Sequence, residues 1–192
     1  MKVLTRAFYS RSPLDVAPEL LGKILVRRLN GQTLSGRIVE TEAYLAADDA
    51  AAHSAKGRTK SNASLFLPAG HAYVHTIHMQ HCLDVVTETI DVPGSVLIRA
   101  IEPISGIEQM QKLRGKEHLR DLTSGPGKLC QSLAITRELD GIDITEGDSP
   151  IMIVDDGSAL SEITRSGRIG ISKATEYDYR FYIAGNPFIS KK

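Results

Sequence analysis

Residues 37–44 read Arg37-Ile38-Val39-Glu40-Thr41-Glu42-Ala43-Tyr44, and the placing of this stretch decides the fold around it. Its β-branched content marks a strand. Side chains alternate along a strand, so Ile38, Glu40, Glu42 and Tyr44 fall on one face. Two carboxylates, an aliphatic side chain and a phenol together make a poor solvent face and a poor core face. The segment alone leaves two readings open. In one, Glu40 and Glu42 stand in water on an edge strand, the usual place for carboxylates. In the other, a carboxylate sits beside an apolar wall and an aromatic ring, where desolvation raises its pKa and makes it a general base.

Working outward, residues 13–22 predict a short helix ended by Gly22, and 23–29 predict a strand. Asn30-Gly31 is a hairpin turn signal leading into the strand at 34–44. Residues 45–64 predict a short helix or an ordered loop. Residues 71–77, 95–101, 150–154, 168–172 and 180–184 predict strands, 105–120 a helix with charges of both signs, and 129–135 an apolar helix after the turn at 124–127. No linker, internal repeat or low-complexity tract interrupts them. The order lacks a regular βαβ rhythm, so the expectation is one α+β domain over 1–192, with a mostly antiparallel sheet.

The bulk composition permits this. With 192 residues and 42% hydrophobic content, one domain can bury a sizeable core. Lys plus Arg and Asp plus Glu both number 23, so global charge argues neither for nor against nucleic acid, and any such binding needs a local patch. The two cysteines, Cys82 and Cys130, lie far apart and form no CxxC motif, which fits a reducing compartment. No apolar run is long enough to span a bilayer and the first residues show no signal-peptide pattern, so the expected location is intracellular.

His71, His75, His78 and His81, followed by Asp84, invite a metal hypothesis. The local sequence favours a strand, on which these residues diverge, and HExxH is absent, so no metal ligand set is assigned. A metal-dependent hydrolase remains the competing reading for this cluster. Ser124-Gly125-Pro126-Gly127-Lys128 lacks the spacing of a nucleotide phosphate loop and reads as a turn opening a helix. Lys56, Arg58 and Lys60 with Asn62 form a small basic stretch, either a solvated loop or a phosphate-contacting one. Arg99, inside the apolar run Val96–Ile101, needs a carboxylate partner, and Glu42 and Glu102 are the candidates.

Several blocks together resemble the alkyladenine-type 3-methyladenine DNA glycosylases. They are residues 37–44; Ala52-His53-Ser54, Gly57-Arg58-Thr59 and Asn62; Gly70-His71-Ala72-Tyr73-Val74; residues 96–103; residues 124–131; Arg168-Ile169-Gly170-Ile171; and Arg180-Phe181-Tyr182-Ile183. They follow the family's order and span nearly the whole chain. The resemblance implies a curved, mostly antiparallel, partly barrel-like sheet surrounded by short helices. It also implies a monomeric enzyme, needing no cofactor, that flips a damaged purine out of double-stranded DNA and hydrolyses its N-glycosidic bond. By matching position, Glu42 would activate the attacking water and Arg99 would help hold it. Tyr44 and His53 would contact the extruded base, and Ser124 and Gly125 would line the pocket through backbone groups. The same blocks offer no well-placed lysine for a Schiff base, so hydrolysis without strand cleavage is expected.

The chain departs from the family pattern after Tyr73. His75 stands where the family has an aromatic pocket wall. His78 stands where the family places the tyrosine that plugs the gap left by the flipped nucleotide. Asp84 replaces a neutral amide. A negative charge near the pocket mouth implies a bias toward cationic lesions such as 3-methyladenine and 7-methylguanine. Three changes in one wall keep a second reading open, a DNA-damage-binding protein with weak or lost catalysis. DNA contact is assigned to His78, Arg58, Lys60 and Asn62.

Overall fold

Ser12 opens the first substantial helix: its hydroxyl accepts a hydrogen bond from Leu14 N–H, and Pro13 occupies the first turn, where its missing N–H costs nothing. In the computed structural model, which describes residues 1–159 and 162–191, this helix, α2 (Pro13–Leu20), follows a two-residue strand β1 (Lys2–Val3) and a single turn α1 (Arg6–Tyr9). The chain then enters β2 (Ile24–Leu29), turns at Asn30-Gly31, and returns as β3 (Gln32–Tyr44). Both turn residues have positive φ, 49° and 77°, the geometry that matches the twist of the flanking strands.

β3 runs for 13 residues and is interior, not an edge. Its first half lies between β2 and β6 (Gly94–Ser105); its second half lies between β6 and β9 (Arg180–Ile183). The solvated edge-strand reading of Glu40 and Glu42 therefore fails. The β3–β6 pairing slips at Ser35/Gly36 and on both sides of Glu40, bulges that re-aim the side chains beyond them. Gly36 permits the approach: a Cβ there would lie 2.7 Å from Ile101 Cδ1.

The remaining strands are β4 (Ala72–Ile77), β5 (Gln80–Thr87), β7 (Ile151–Asp155) and β8 (Ile163–Ser166). They complete one antiparallel sheet of order β1-β7-β2-β3-β6-β5-β4, with β9 joined to β3 and β8 to β9. The sheet stays open. Short helices α3 (Ile107–Arg114), α4 (Leu119–Thr123) and α5 (Pro126–Ser132) close over the core, where Ile38, Ile98, Ile101, Leu122 and Leu129 are fully buried. The α+β class expected from the sequence is thus present. Among the described residues no helix is long and apolar enough to cross a membrane.

Three local expectations change, at 105–120, 129–135 and 168–172, while the ordered loop at 45–64 holds. The helix expected over 105–120 splits, because Gly115 adopts the left-handed conformation and caps α3. The helix expected at 129–135 begins earlier, at Pro126, and ends at Ser132. Residues 45–64 form turns that run into a 3-10 segment, Lys60–Phe66. Residues 168–172 are a loop: the Ile169 N–H bonds the Glu42 carboxylate instead of a neighbouring strand, and Gly170 has φ 80°.

Candidate active site

Glu40 and Glu42 are both 0% exposed, and Arg99 from β6 joins them. Its Nε lies 3.2 Å from Glu40 Oε1 and its Nη1 3.1 Å from Glu42 Oε2. The guanidinium needed a carboxylate and has two, while Glu102, the local candidate, accepts from Asn186. The two glutamates then diverge. Glu40 also accepts from Arg180 Nε at 2.7 Å, Ser190 N–H at 2.6 Å and Ser190 Oγ–H at 2.9 Å. It ties β3 to β9 and to the C-terminal segment.

Glu42 accepts from Ile169 N–H at 2.7 Å on Oε1 and from the Tyr44 hydroxyl at 2.8 Å on Oε2. Burial pushes its carboxyl above the ordinary range, with the charge of Glu40 adding; Arg99, the Ile169 N–H and the Tyr44 hydroxyl pull the other way. A carboxylate offers about four lone-pair sites. Hydrogen bonds from Tyr44 and Ile169 use two of them, and Arg99 adds an ion pair at Oε2.

The loop carrying Ile169 is braced by a buried ion pair. Arg168 Nη1 and Nη2 donate to Asp49 Oδ2 and Oδ1 at 2.6 and 2.7 Å, and Nη1 also donates to Ala43 O at 3.0 Å. The guanidinium lies over the Tyr44 ring at 4.6 Å, so one residue positions both hydrogen-bond donors of Glu42. Burial acts to raise the Asp49 carboxyl, but Arg168 and the N–H groups of Leu45 and Ala51 outweigh it and hold it below its ordinary value.

A cavity of about 620 Å³ opens in front of these groups. Tyr44, Arg99 and Ile169 form part of its wall, and Glu42 lies directly behind them with no exposed surface of its own. Aromatic planes supply another part. Tyr73 and His75 stack at 4.9 Å, and His53 meets His75 edge-on at 4.4 Å. The Tyr73 hydroxyl and His53 Nδ1 are hydrogen-bonded at 3.0 Å. Burial lowers the His53 imidazole pKa and the charge of His75 lowers it further, against Asp84. Asp84 lines the same wall, bonded to His75 Nε2 and Ser95 Oγ.

Glu42, Arg99, Tyr44, His53, His75 and Asp84 therefore converge, and Gly125 joins them on the cavity wall. Ser124 does not: its buried hydroxyl turns back to Arg120 O. Asn62 also departs from its expected surface role. It is 4% exposed, and its amide holds the loop closed through Thr59 N–H, His53 O and Gly57 O, so it shapes the segment presenting Arg58 and Lys60. Those two side chains are exposed, although Arg58 leans on Asp91 at 3.3 Å and over the Phe66 ring. His78 is exposed at the β4–β5 turn beside Met79, which is 96% exposed.

The histidine cluster disperses: His71 bonds Pro68 O, His81 bonds Thr76 Oγ1, and His75 faces Asp84. Among the described residues no group of three or more His, Cys, Asp or Glu is placed to hold a metal ion, because strand alternation and the hairpin send the side chains apart. The metal-dependent reading of this cluster falls. Sequence reasoning missed Glu40 as the second anchor of Arg99, the Arg168–Asp49 brace, and Ile169. It also missed Lys128, which lines the cavity with its ammonium 3.4 Å from Ser124 Oγ. The argument applied to Arg99, a charge against apolar strand residues, applies also to Arg180 before Phe181-Tyr182-Ile183, whereas Arg168, between Gly167 and Ile169, carried no such signal.

Comparison with known proteins agrees with this arrangement. Residues 7–187 match the family model described as methylpurine-DNA glycosylase. Three relatives carry the name "Putative 3-methyladenine DNA glycosylase". That of Koribacter versatilis is 49% identical over 98% of this chain and 93% of its own length. That of Clostridium perfringens is 45% identical over 98% and 99%. That of Carboxydothermus hydrogenoformans is 46% identical over 99% and 100%. With a family match across most of the sequence and near-half identity over almost its full length, this chain belongs to the methylpurine-DNA glycosylase family.

Proposed function

We propose that residues 1–192 form one monofunctional DNA-3-methyladenine glycosylase domain, which flips an alkylated purine out of duplex DNA and hydrolyses its N-glycosidic bond to leave an abasic site. Family membership carries the coarser statement, a DNA glycosylase role with DNA as substrate. One observation supports the finer reading most: a desolvated carboxylate, Glu42, sits immediately behind a cavity roomy enough for a nucleobase and walled by aromatic planes. Breaking the bond builds positive charge on the sugar. A nearby carboxylate stabilises that charge and takes a proton from water. An unused acceptor site of Glu42 takes that water, and Arg99 helps hold it. Tyr44, His53, Tyr73 and His75 offer planes that offset the cost of unstacking the base.

Asp84 adds negative charge to the wall and favours cationic 3-methyladenine and 7-methylguanine over neutral etheno or deaminated bases. At the cavity rim, His78 and Met79 fill the gap left in the duplex, while Arg58, Lys60 and Lys128 meet phosphate. One chain supplies every group, which supports a monomer. Lys128 and Lys173, which both line the cavity, bear on the monofunctional assignment, in which neither attacks the abasic aldehyde. Borohydride trapping of a protein–DNA adduct would contradict that part.

A second reading, a damage binder without catalysis, draws on the complete enclosure of Glu42. Release of free base from methylated duplex DNA, run beside a binding assay, separates the two. Release supports the glycosylase; binding without release supports the binder.

A further inference from the structure

The segment after β9 touches β6 at two points. The Asn186 side-chain amide donates to Glu102 Oε2 at 3.0 Å, and Arg99 Nη2 donates to Ser190 Oγ at 3.5 Å. Between them the chain is fixed. Asn186 Oδ1 accepts from Phe188 N–H at 2.9 Å, a local side-chain turn. Ile189 is buried in the core, and Phe188 packs against that core. On the far side, Arg180 Nη2 donates to Lys191 O. Ser190 is thus delivered to Arg99 by a segment anchored on both flanks.

Ser190 also reaches Glu40, donating its N–H to Oε2 at 2.6 Å and its Oγ–H to Oε1 at 2.9 Å. A hydroxyl has one proton to give and two lone pairs to accept with, so the bond to Glu40 leaves the oxygen free to accept from Arg99. Each nitrogen of the Arg99 guanidinium then faces a different group. Nε lies 3.2 Å from Glu40 Oε1, Nη1 lies 3.1 Å from Glu42 Oε2, and Nη2 has Ser190. The guanidinium is planar and rigid, so holding Nε and Nη2 fixes the direction in which Nη1 points. Ser190 does this from behind the site. Among the described residues it is not on the cavity wall, although a Cβ on Gly125, which is, would lie 4.0 Å from Ser190 Cβ.

We propose that Ser190 is a positioning residue for base excision: it holds Arg99 in the orientation that sets Nη1 against Glu42 and the attacking water. This rests on the glycosylase reading above. Without the hydroxyl, Nη2 of a guanidinium only 6% exposed has no partner here, and the group is free to turn about Nε. A displacement of about 1 Å in a group that orients a reactant can cost as much as about 10²-fold in rate. The loss of one hydrogen bond to a charged group sets the lower end, about tenfold. Glu40 keeps Arg99, Arg180 and the Ser190 N–H, so its anchoring survives the loss of the hydroxyl. Ser190 does not line the cavity, so lesion binding is spared while the chemical step slows.

The test is single-turnover release of 3-methyladenine from duplex DNA at saturating protein, corrected for enzyme-free release, with lesion Kd and Tm measured on the same variants. At a temperature well below the variant's Tm, release by Ser190→Ala should fall by about tenfold or more, with Kd within about twofold of wild type. Ser190→Cys keeps the shape but offers a weak donor and acceptor, and should fall by at least about threefold. Ser190→Thr keeps the hydroxyl and should stay within about twofold of wild type. A structural role alone would lower Tm and leave the rate of the folded protein unchanged. An unchanged rate in Ser190→Ala or Ser190→Cys, a loss in Ser190→Thr as large as in Ser190→Ala, or a Kd that weakens in step with the rate overturns the proposal. The Ser190→Cys arm decides it even where Ser190→Ala does not fold. Release by the wild type that Ser190→Ala matches refutes only this inference; no release by the wild type refutes the glycosylase reading and this inference with it.

Discussion

Replacing Glu42 with Gln, and separately Glu40 with Gln, dissociates chemistry from architecture on one strand face. In Glu42→Gln the amide oxygen still accepts from Ile169 N–H, and Arg99 keeps Glu40 at 3.2 Å. An ion pair is lost, but the desolvation of a buried carboxylate is relieved. These oppose, so stability changes by about 1 kcal/mol or less in either direction. What disappears is the proton acceptor. A positioned general base contributes about 10²- to 10⁴-fold, or roughly 2.7–5.5 kcal/mol of barrier. Base release should fall by at least about that much while lesion binding persists. In Glu40→Gln the buried Arg180 guanidinium loses its carboxylate, and Ser190 loses a charged acceptor. Breaking a buried pair from one side costs about 3–5 kcal/mol. That corresponds to a Tm lower by roughly 6–20 °C for a chain of this size. Single-turnover base release, lesion binding and thermal unfolding on both variants give the answer. Full turnover in Glu42→Gln refutes its role. Unchanged Tm in Glu40→Gln refutes the claim that Glu40 is the structural anchor.

Three further outcomes follow from the same geometry. Because the Glu42 carboxyl is raised by burial and must be ionised to act, kcat/KM for 3-methyladenine release should rise with pH through an inflection above the ordinary carboxylate value of about 4.3; an inflection at or below it contradicts the desolvated base. Asp49→Asn strands the Arg168 guanidinium and should cost about 3–5 kcal/mol at pH 7, measured by denaturant unfolding. The Asp49 carboxyl is depressed in the fold, so its contribution is complete above about pH 3.9 and disappears only as pH falls through the lower folded value; the gap between variant and wild type should therefore narrow below that pH. His78 and Met79 both hold positive φ, 47° and 65°, so glycine at either should raise stability by about 1 kcal/mol. If the tip enters the duplex, the same substitutions should weaken lesion binding, and a variant that gains stability with unchanged binding removes the tip from the DNA interface.

Several features were legible in the chain because they are local. Asn30-Gly31 can adopt the paired positive φ values that few other residues tolerate, so the hairpin before β3 was readable. Alternation along 37–44 put Glu40, Glu42 and Tyr44 on one face, and an arginine within an apolar strand announced a carboxylate partner. The loop at 168–172 was misread as a strand because its apolar residues look alike in either state. What diverts it from a strand is Glu42, 127 positions away, which takes the Ile169 N–H, while Asp49 and Ala43 anchor the Arg168 side chain.

The sequence by itself determined the periodicities, the turns and the order of blocks that mark the family, since each depends on neighbours within a few residues. Only the tertiary structure decided which glutamate is which. Alternation treats Glu40 and Glu42 alike; the difference is that Glu40 meets Arg180 and Ser190, 140 and 150 positions away, while Glu42 meets Ile169 behind a cavity wall. Likewise, the β4–β5 pairing sets Asp84 opposite Tyr73 and His75 opposite Cys82, and the His75–Asp84 contact forms across the diagonal. The charge state of a carboxylate is set by its desolvation and by the charges and hydrogen-bond donors around it, and those are fixed by which remote strands pair, which no local pattern encodes.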